Sequence, residues 1–416
     1  MTQLTLSTDQ QLGYDRFLQF LANPADQVFV LEGYSGTGKT TLVSHILRDL
    51  PTLEKTLKLL SPNFKFDYEV VLSATTNKAA EALQSILHQE VRTIHSVLKL
   101  RVATNYKTGK SSLQPTSKER LSNTLLVVDE ASFMDDQLLD LTLKGIDRSC
   151  KLLLIGDPAQ LLNVNATETP AFNRGYTTAK LQQVVRQAKG NPIIDLSTKF
   201  RETVNTGHWF QFVPDGQAIT HLPREQFEAY IAQDFSRPEW SHNESKVLAW
   251  TNRTVIAYNH GINNLLSGQP EFGKGDYAIV NSFIKNANAS FKTDQTVLIT
   301  DISNPSQELD VDGRFYTLDN RATFFMPNNL ADKTKALAKA QAEDNMAASM
   351  RILDTWIDLR AAFACTINKS QGSTYDRVYI DLDDVKKCRD TNQLARLLYV
   401  GVSRARQQVF LTGDLV

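Results

Sequence analysis

The sequence predicts an α/β protein made of two doubly wound lobes, the second interrupted by an insertion. Three observations carry that expectation. Short apolar runs alternate with helical patterns up to about residue 185. The alternation restarts after about residue 186, and its texture changes at about 268 before it resumes near 377.

Val28-Phe29-Val30-Leu31, Glu69-Val70-Val71-Leu72, Thr124-Leu125-Leu126-Val127-Val128 and Lys151-Leu152-Leu153-Leu154-Ile155 are largely apolar runs bounded by polar turns. That pattern suits strands buried on both faces of a parallel sheet. Between them, Tyr14, Phe17, Leu18 and Leu21 follow the i, i+3, i+4, i+7 spacing of one helical face. Leu42, Ile46, Leu47 and Leu50 repeat at helical spacing up to Pro51. In the second lobe, Pro192 is placed to open a helix carrying Ile193, Leu196 and Phe200. Val247-Leu248-Ala249-Trp250 reads as a strand leading into a helix from about Thr254. Glycine-punctuated β signals follow between about 268 and 326, in Phe272–Asp276, Thr296–Thr300 and Gly313–Tyr316. Residues 330–360 are helical by their Ala, Lys and Glu content. Arg377–Asp381 and Val409–Leu411 complete the second lobe.

A chain of 416 residues has room for two or three domains, each with its own core. With 42% hydrophobic and 22% charged residues it belongs with globular rather than disordered chains. The net charge of −1 means that any nucleic-acid contact must come from a local basic lining. Cys150, Cys365 and Cys388 are odd in number and far apart, which argues against a disulfide scaffold or a zinc site. The N-terminus lacks the basic and apolar regions of a signal peptide, and no apolar run reaches about 18 residues. A reducing cytoplasm, with no membrane partner, is the expected setting.

The chemistry begins at Gly33-Tyr34-Ser35-Gly36-Thr37-Gly38-Lys39-Thr40, which fits G-x-x-x-x-G-K-[ST] at every fixed position. Backbone N–H groups of such a loop cradle phosphates, the lysine reaches the β and γ oxygens, and the Thr hydroxyl ligates Mg²⁺. Gly33, Gly36, Thr37, Gly38, Lys39, Thr40 and Thr41 are therefore the expected ATP-binding set. The loop follows a predicted strand and precedes a predicted helix, so a chance glycine-rich turn is the weaker reading. Asp129-Glu130 ends a strand, where open α/β sheets bind ligands. Asp129 is expected to hold Mg²⁺ and Glu130 to polarise the attacking water. Gln160, ending the next strand, can sense the γ-phosphate through an amide that both donates and accepts. Near the other end stands Leu398-Tyr399-Val400-Gly401-Val402-Ser403-Arg404-Ala405-Arg406. A guanidinium stabilises a transferring phosphoryl group only by touching it. If Lys39 and Arg404 serve one ATP, two lobes must close on it and reopen, as in a motor. Arg186 is a second arginine candidate. Gln10 is read two ways, as reader of the adenine edge or as partner in a Ser7-x-x-Gln10 capping box.

In this order the motifs resemble superfamily 1 helicases and, among them, the RecD-like superfamily 1B branch, including its phage-encoded members. The resemblance runs through Gln10, Gly33–Thr40, Ala74–Ala80, Thr93–Ser96, Val128–Ser132, Gly156–Gln160, Val184–Arg186 with Asn191–Asp195, Thr251-Asn252, Lys369–Gly372 and Tyr399–Arg404. It implies two RecA-like P-loop NTPase domains with ATP between them and single-stranded DNA across their top. Domain 1A would span 1–95 and 122–185, a pin-like hairpin insertion 96–121, domain 2A 186–267 and 361–416, and an inserted SH3-like plus helical module 268–360. It implies an ATP- and Mg²⁺-dependent DNA helicase translocating 5′ to 3′. Its partners would be single-stranded and forked DNA and single-strand-binding, replication or recombination proteins, and it would work as a monomer. The family's DNA contacts map onto Thr76, Asn77, Lys78, Thr93, His95, Asn252 and Lys369, polar and basic groups suited to the phosphate backbone. For His95 a packed helix-start histidine is the competing reading. In the hairpin, Lys107-Thr108-Gly109-Lys110 can turn, and Tyr106 would offer a flat ring to the opening base pair; a solvated basic loop is the alternative.

The sequence departs from the family in places. Asn368 stands where a histidine is usual, Leu161-Leu162-Asn163-Val164 replaces a proline-containing stretch, and Thr75 and Asn77 replace proline and glycine. None is expected to touch the phosphate chemistry. A translocase that strips proteins without unwinding is the neighbouring function. A switch GTPase fails because Asn77-Lys78-Ala79-Ala80 lacks the guanine-pairing aspartate. A decayed, non-catalytic subunit fails because Lys39, Glu130 and the arginines are intact.

Overall fold

The computed structural model describes residues 6–60, 68–104, 111–161, 169–183, 190–267 and 272–415. Arg186, Tyr106 and Leu162-Asn163-Val164, all singled out above, lie outside these residues. The chain forms two compact units, one of residues 1–211 with 391–403, the other of 212–390 with 404–416. The helices Pro192–Thr206 and Thr391–Ser403 pack together and count with the first unit, whereas the expected division assigned both to the second lobe.

In the first unit the strands are β1 (Val28–Gly33), β2 (Glu69–Ala74), β3 (Val91–Thr93), β4 (Leu100–Thr104), β5 (Ser111–Pro115), β6 (Thr124–Asp129), β7 (Lys151–Gly156) and β8 (Thr177–Leu181). Six of them form a parallel sheet in the order β3-β2-β6-β7-β1-β8. The continuous apolar runs follow from that topology, because alternate side chains enter cores on opposite faces. Phe29, Leu31, Leu125, Val127, Leu153 and Ile155 join one core, beside the helices Thr8–Ala22, Lys39–Leu60 and Asn77–Leu87. Val28, Val30, Leu126, Val128, Leu152 and Leu154 join the other, with Leu138 and Leu139 of the helix Asp136–Gly145. Full burial of each such side chain contributes about 1.5–3 kcal/mol.

The helix after the phosphate loop continues through Pro51 to Leu60. Proline removes one hydrogen bond of the ladder, but the apolar seam runs on across it, and Leu50 and Leu53 are both buried in the core. Strands β4 and β5 pair antiparallel from Leu100↔Pro115 to Thr104↔Ser111, the stem of the hairpin expected in this stretch.

The second unit contains β9 (Ile219–Leu222), β10 (Ser245–Ala249), β11 (Tyr277–Val280), β12 (Ile284–Lys285), β13 (Ser290–Phe291), β14 (Thr296–Ile302), β15 (Ser306–Glu308), β16 (Val311–Leu318), β17 (Ala322–Pro327), β18 (Leu359–Ala361), β19 (Ala364–Thr366), β20 (Tyr375–Asp381) and β21 (Ala405–Thr412). A parallel sheet runs β19-β10-β20-β21-β9. Between β10 and β19 in sequence lies the inserted module, an antiparallel sheet β15-β16-β14-β11-β18 with β17 on β16. Its apolar core is its own, built on Val297, Ile299, Tyr316, Leu318 and Phe324. The helices Leu330–Ala342 and Met346–Thr355 follow, where alanine-rich composition expects them. Among the described residues, no helix is long and apolar enough to cross a membrane.

Candidate active site and nucleic-acid contacts

The phosphate loop joins β1 to the helix starting at Lys39. Gly36 and Gly38 have φ of 84° and 77°, conformations that favour glycine. Gly33 is required for a different reason: a Cβ there would lie 2.7 Å from Thr37 Oγ1 and 3.0 Å from Lys39 Cγ. Lys39 Nζ donates to the carbonyls of Gly33 (2.6 Å) and Tyr34 (3.0 Å), and Thr37 Oγ1 to that of Tyr34 (2.9 Å). Thr40 and Thr41 follow on the first helical turn.

Of the two readings of Gln10, the capping box is the one present in the geometry. Its backbone N–H donates to Ser7 Oγ (3.3 Å) and its Oε1 accepts from Ser7 N (3.0 Å), completing the capping box. The other end of the same amide, Nε2, reaches the carbonyls of Thr37 (3.2 Å) and Gly38 (3.4 Å). The cap thereby anchors the glycine loop.

Asp129 closes β6, and its Oδ1 accepts from the N–H of Glu130 (2.8 Å). Burial pushes the Asp129 carboxyl up, while that N–H and the charge of Lys39 pull it down. Glu130 has φ 53° and ψ 43°, a left-handed conformation uncommon outside glycine. Thr75 holds this corner: its N–H donates to the Asp129 carbonyl (3.2 Å) and its hydroxyl to the Glu130 carbonyl (2.9 Å). A proline could supply neither donor. The departure at Thr75, expected to be remote from the phosphate chemistry, thus supports the backbone of the acidic pair.

Gln160 is buried beyond the end of β7. Its loop is held by Asp157, whose Oδ1 accepts from Ala159 N (2.9 Å), and by Arg396, whose Nη1 donates to the carbonyls of Pro158 (2.7 Å) and Gln160 (2.6 Å). Tyr399 joins that loop to the phosphate loop, donating to Asp157 Oδ2 (2.5 Å) and accepting from Ser35 N (3.1 Å). Burial, reinforced by Asp157, holds the Tyr399 phenol well above its usual pKa. Sequence reasoning passed over Arg396, Tyr399 and Asp157 as individuals. The last two lie within motifs it quoted, so a polar residue beside each presumed contact was the available signal.

The expected DNA residues fall on both units. Thr76 caps the helix Asn77–Leu87 through a bond from Ala79 N (3.2 Å), with Asn77 and Lys78 in its first turn. Thr93 caps the short helix Ile94–Val97 with a bond from Ser96 N (3.3 Å). His95, on that helix, is held below its usual pKa by burial, against the pull of Asp135. In the second unit Asn252 opens the helix Asn252–Ser267. Lys369 Nζ donates to Asn281 Oδ1 (2.9 Å) and Asp294 Oδ1 (2.8 Å) of the inserted module. Arg404 is buried and donates from Nη1 to the Ser373 carbonyl (3.2 Å).

A glycine-rich loop after one strand, an acidic pair and a glutamine after two neighbouring strands of the same parallel sheet define a P-loop NTPase. Residues 6–221 match the family model described as "AAA domain", and residues 361–412 match that of the UvrD-like helicase C-terminal domain. The chain belongs to the AAA-domain family and is a superfamily 1B helicase. The ATP-dependent DNA helicase dda of Enterobacteria phage T4 is 25% identical over 91% of this chain and 93% of its own. The ATP-dependent RecD2 DNA helicase of Deinococcus radiodurans is 34% identical over 40% of this chain and 21% of its own. In fold, the chain is similar to a Pif1 helicase from Bacteroides solved with ADP-AlF3 and ssDNA, at TM-score 0.52 and 15% identity, covering 100% of this chain and 94% of that one.

Proposed function

We propose that the protein is an ATP-dependent DNA helicase that moves 5′ to 3′ along single-stranded DNA and separates the duplex ahead of it. One observation carries this reading. Lys39, Asp129-Glu130 and Gln160 lie at or beyond the C-terminal ends of β1, β6 and β7, which are adjacent and parallel in the order β6-β7-β1, so the chemistry falls on the C-terminal side of the sheet. The direction of travel follows from the superfamily 1B membership.

In this reading Gly33 to Thr41 bind the phosphates and Lys39 neutralises the β and γ oxygens. Glu130, fixed in its left-handed corner, takes the proton of the attacking water. Gln160 reports the γ-phosphate, while Arg404 and Arg186 meet the transferring group as the lobes close. Thr40 and Asp129 would hold Mg²⁺. The fit is chemical: a half-buried carboxylate pushed up by desolvation gains from a cation, and Mg²⁺ commonly takes one or two carboxylates plus substrate phosphates. When bound, the ion supplies charge neutralisation at the phosphate oxygens.

Thr76, Asn77, Lys78, Thr93, His95, Asn252 and Lys369 track the DNA backbone, and Tyr106 at the hairpin serves the opening base pair. The division into 1A, pin, 2A and SH3-like module, action as a monomer, and docking of single-strand-binding or recombination proteins belong to the same proposal.

The test is ATP hydrolysis with and without single-stranded DNA, paired with strand displacement on a duplex bearing a 5′ tail. Stimulation by DNA together with displacement supports the reading. Stimulation without displacement would turn it into a protein-displacing translocase, and hydrolysis indifferent to DNA would sink it.

A further inference from the structure

The nucleotide-site residues assigned above leave out one cation beside the phosphate loop. Arg201 stands on the helix Pro192–Thr206, its guanidinium carbon 3.5 Å from the centroid of the Tyr34 ring. Tyr34 is the second residue of the glycine loop. Among the described residues no carboxylate pairs with Arg201, and its Nε is buried without an acceptor. Arg201 as a whole is half-buried, but a guanidinium nitrogen withdrawn from water and left without an acceptor is costly, and the best partners of the group are carboxylate and phosphate, which it grips with two N–H groups.

The local carboxylate is already committed. Asp157 is fully buried, with one oxygen bonded to Ala159 N and the other to the Tyr399 hydroxyl. The charge of Arg201 is nevertheless felt there, since it opposes the rise that burial and Asp157 impose on the Tyr399 phenol. The remaining anion for which this corner is built is the nucleotide. Which part of it is indicated by Lys39, whose ammonium serves the β and γ oxygens and here bonds the carbonyl of Tyr34 at 3.0 Å. Lys39 therefore marks the terminal-phosphate end of the loop at Tyr34, and Arg201 lies against the ring of that residue.

We propose that Arg201 is a nucleotide-binding residue that contacts the terminal phosphate of ATP, with Tyr34 as the aromatic rest that holds its guanidinium ready. The inference rests on the ATP-site reading given above. Its signature is selectivity, because ADP lacks the group that Arg201 would touch. A residue that merely supports the loop would affect both nucleotides alike.

The experiment measures binding of fluorescent ADP and of a fluorescent non-hydrolysable ATP analogue to the full chain, in wild type, R201A, R201K and K39A. R201A is expected to weaken the ATP analogue about ten- to a hundredfold, the range for a hydrogen bond to a charged group, and to leave ADP within about twofold. R201K, keeping charge but losing the planar fork, should fall between, and K39A should lose both nucleotides. Equal losses for ATP and ADP in R201A, or no loss in either, overturn the proposal. If R201A does not fold, R201Q decides on the same criterion. Wild-type protein that binds neither nucleotide would overturn the ATP-site reading itself and the inference with it.

Discussion

Each unit has a parallel strand that runs into a helix, and the two junctions end in opposite ways. After β1, Ser35 N and Thr37 N already donate within the chain, to the Tyr399 hydroxyl (3.1 Å) and the Tyr34 carbonyl (3.2 Å), while among the described residues the amides of Gly36 and Gly38, both at positive φ, are left to an incoming phosphate. After β10 the amides are already taken. Trp250 N and Thr251 N donate to Asp384 Oδ2 at 2.8 and 2.7 Å, and the hydroxyls of Thr251 and Thr254 donate to its Oδ1 at 2.8 and 2.7 Å. Burial would raise the Asp384 carboxyl, but Lys387 and these donors outweigh it and hold it below its usual pKa. Helix N-termini favour anions. The first junction leaves that place for a ligand, and the second fills it with the chain's own carboxylate. A shared architecture therefore does not imply a shared function. At the second junction Asp384 takes the place an anion would favour, directly beside Asn252.

The largest expected effect tests the first half of that contrast. Lys39→Ala should abolish DNA-stimulated ATP hydrolysis, because a charge and its phosphate contact vanish together; full activity in this variant would break the assignment. Arg404→Ala should cost on the order of 10³-fold in turnover while ATP affinity changes much less. Loss of binding with turnover preserved would remove Arg404 from the transition state. Glu130→Gln should retain nucleotide and slow hydrolysis, and normal rates there would mean that water is activated elsewhere. Asp384→Asn probes the other junction. It should leave nucleotide affinity unchanged and weaken single-stranded DNA binding about tenfold, the lower end for losing bonds to a charged group. Equal damage to both affinities would erase the distinction between the junctions. The smallest effect is a slope: DNA affinity should fall with salt by about −0.7 per phosphate neutralised, with little sequence preference. A strong preference for one sequence would contradict backbone tracking.

Much of this was legible in the chain. Continuous apolar runs announced the central strands because both faces of the sheet are covered. The short strands β3, β8, β9, β18 and β19 were not anticipated, since three to five residues at or near a sheet edge leave no periodic trace. Pro51 shows a local signal overridden by packing. Gln10 shows a local signal, the capping box, joined by a long-range one that spacing did not announce: its Nε2 also holds the glycine loop.

The sequence by itself determined the glycine loop, the acidic pair at the end of β6, the alternation of strand and helix and the inserted β-rich segment. Each is written in neighbouring residues, where spacing and propensity act directly. Only the tertiary structure decided that Tyr399 bonds Asp157 across 242 positions, that Thr75 braces Glu130 across 55, and that Asp384 fills the second junction across 133. Such bonds depend on a buried donor meeting a buried acceptor. That requirement is enforced by the cost of leaving either unpaired, and no spacing along the chain encodes it.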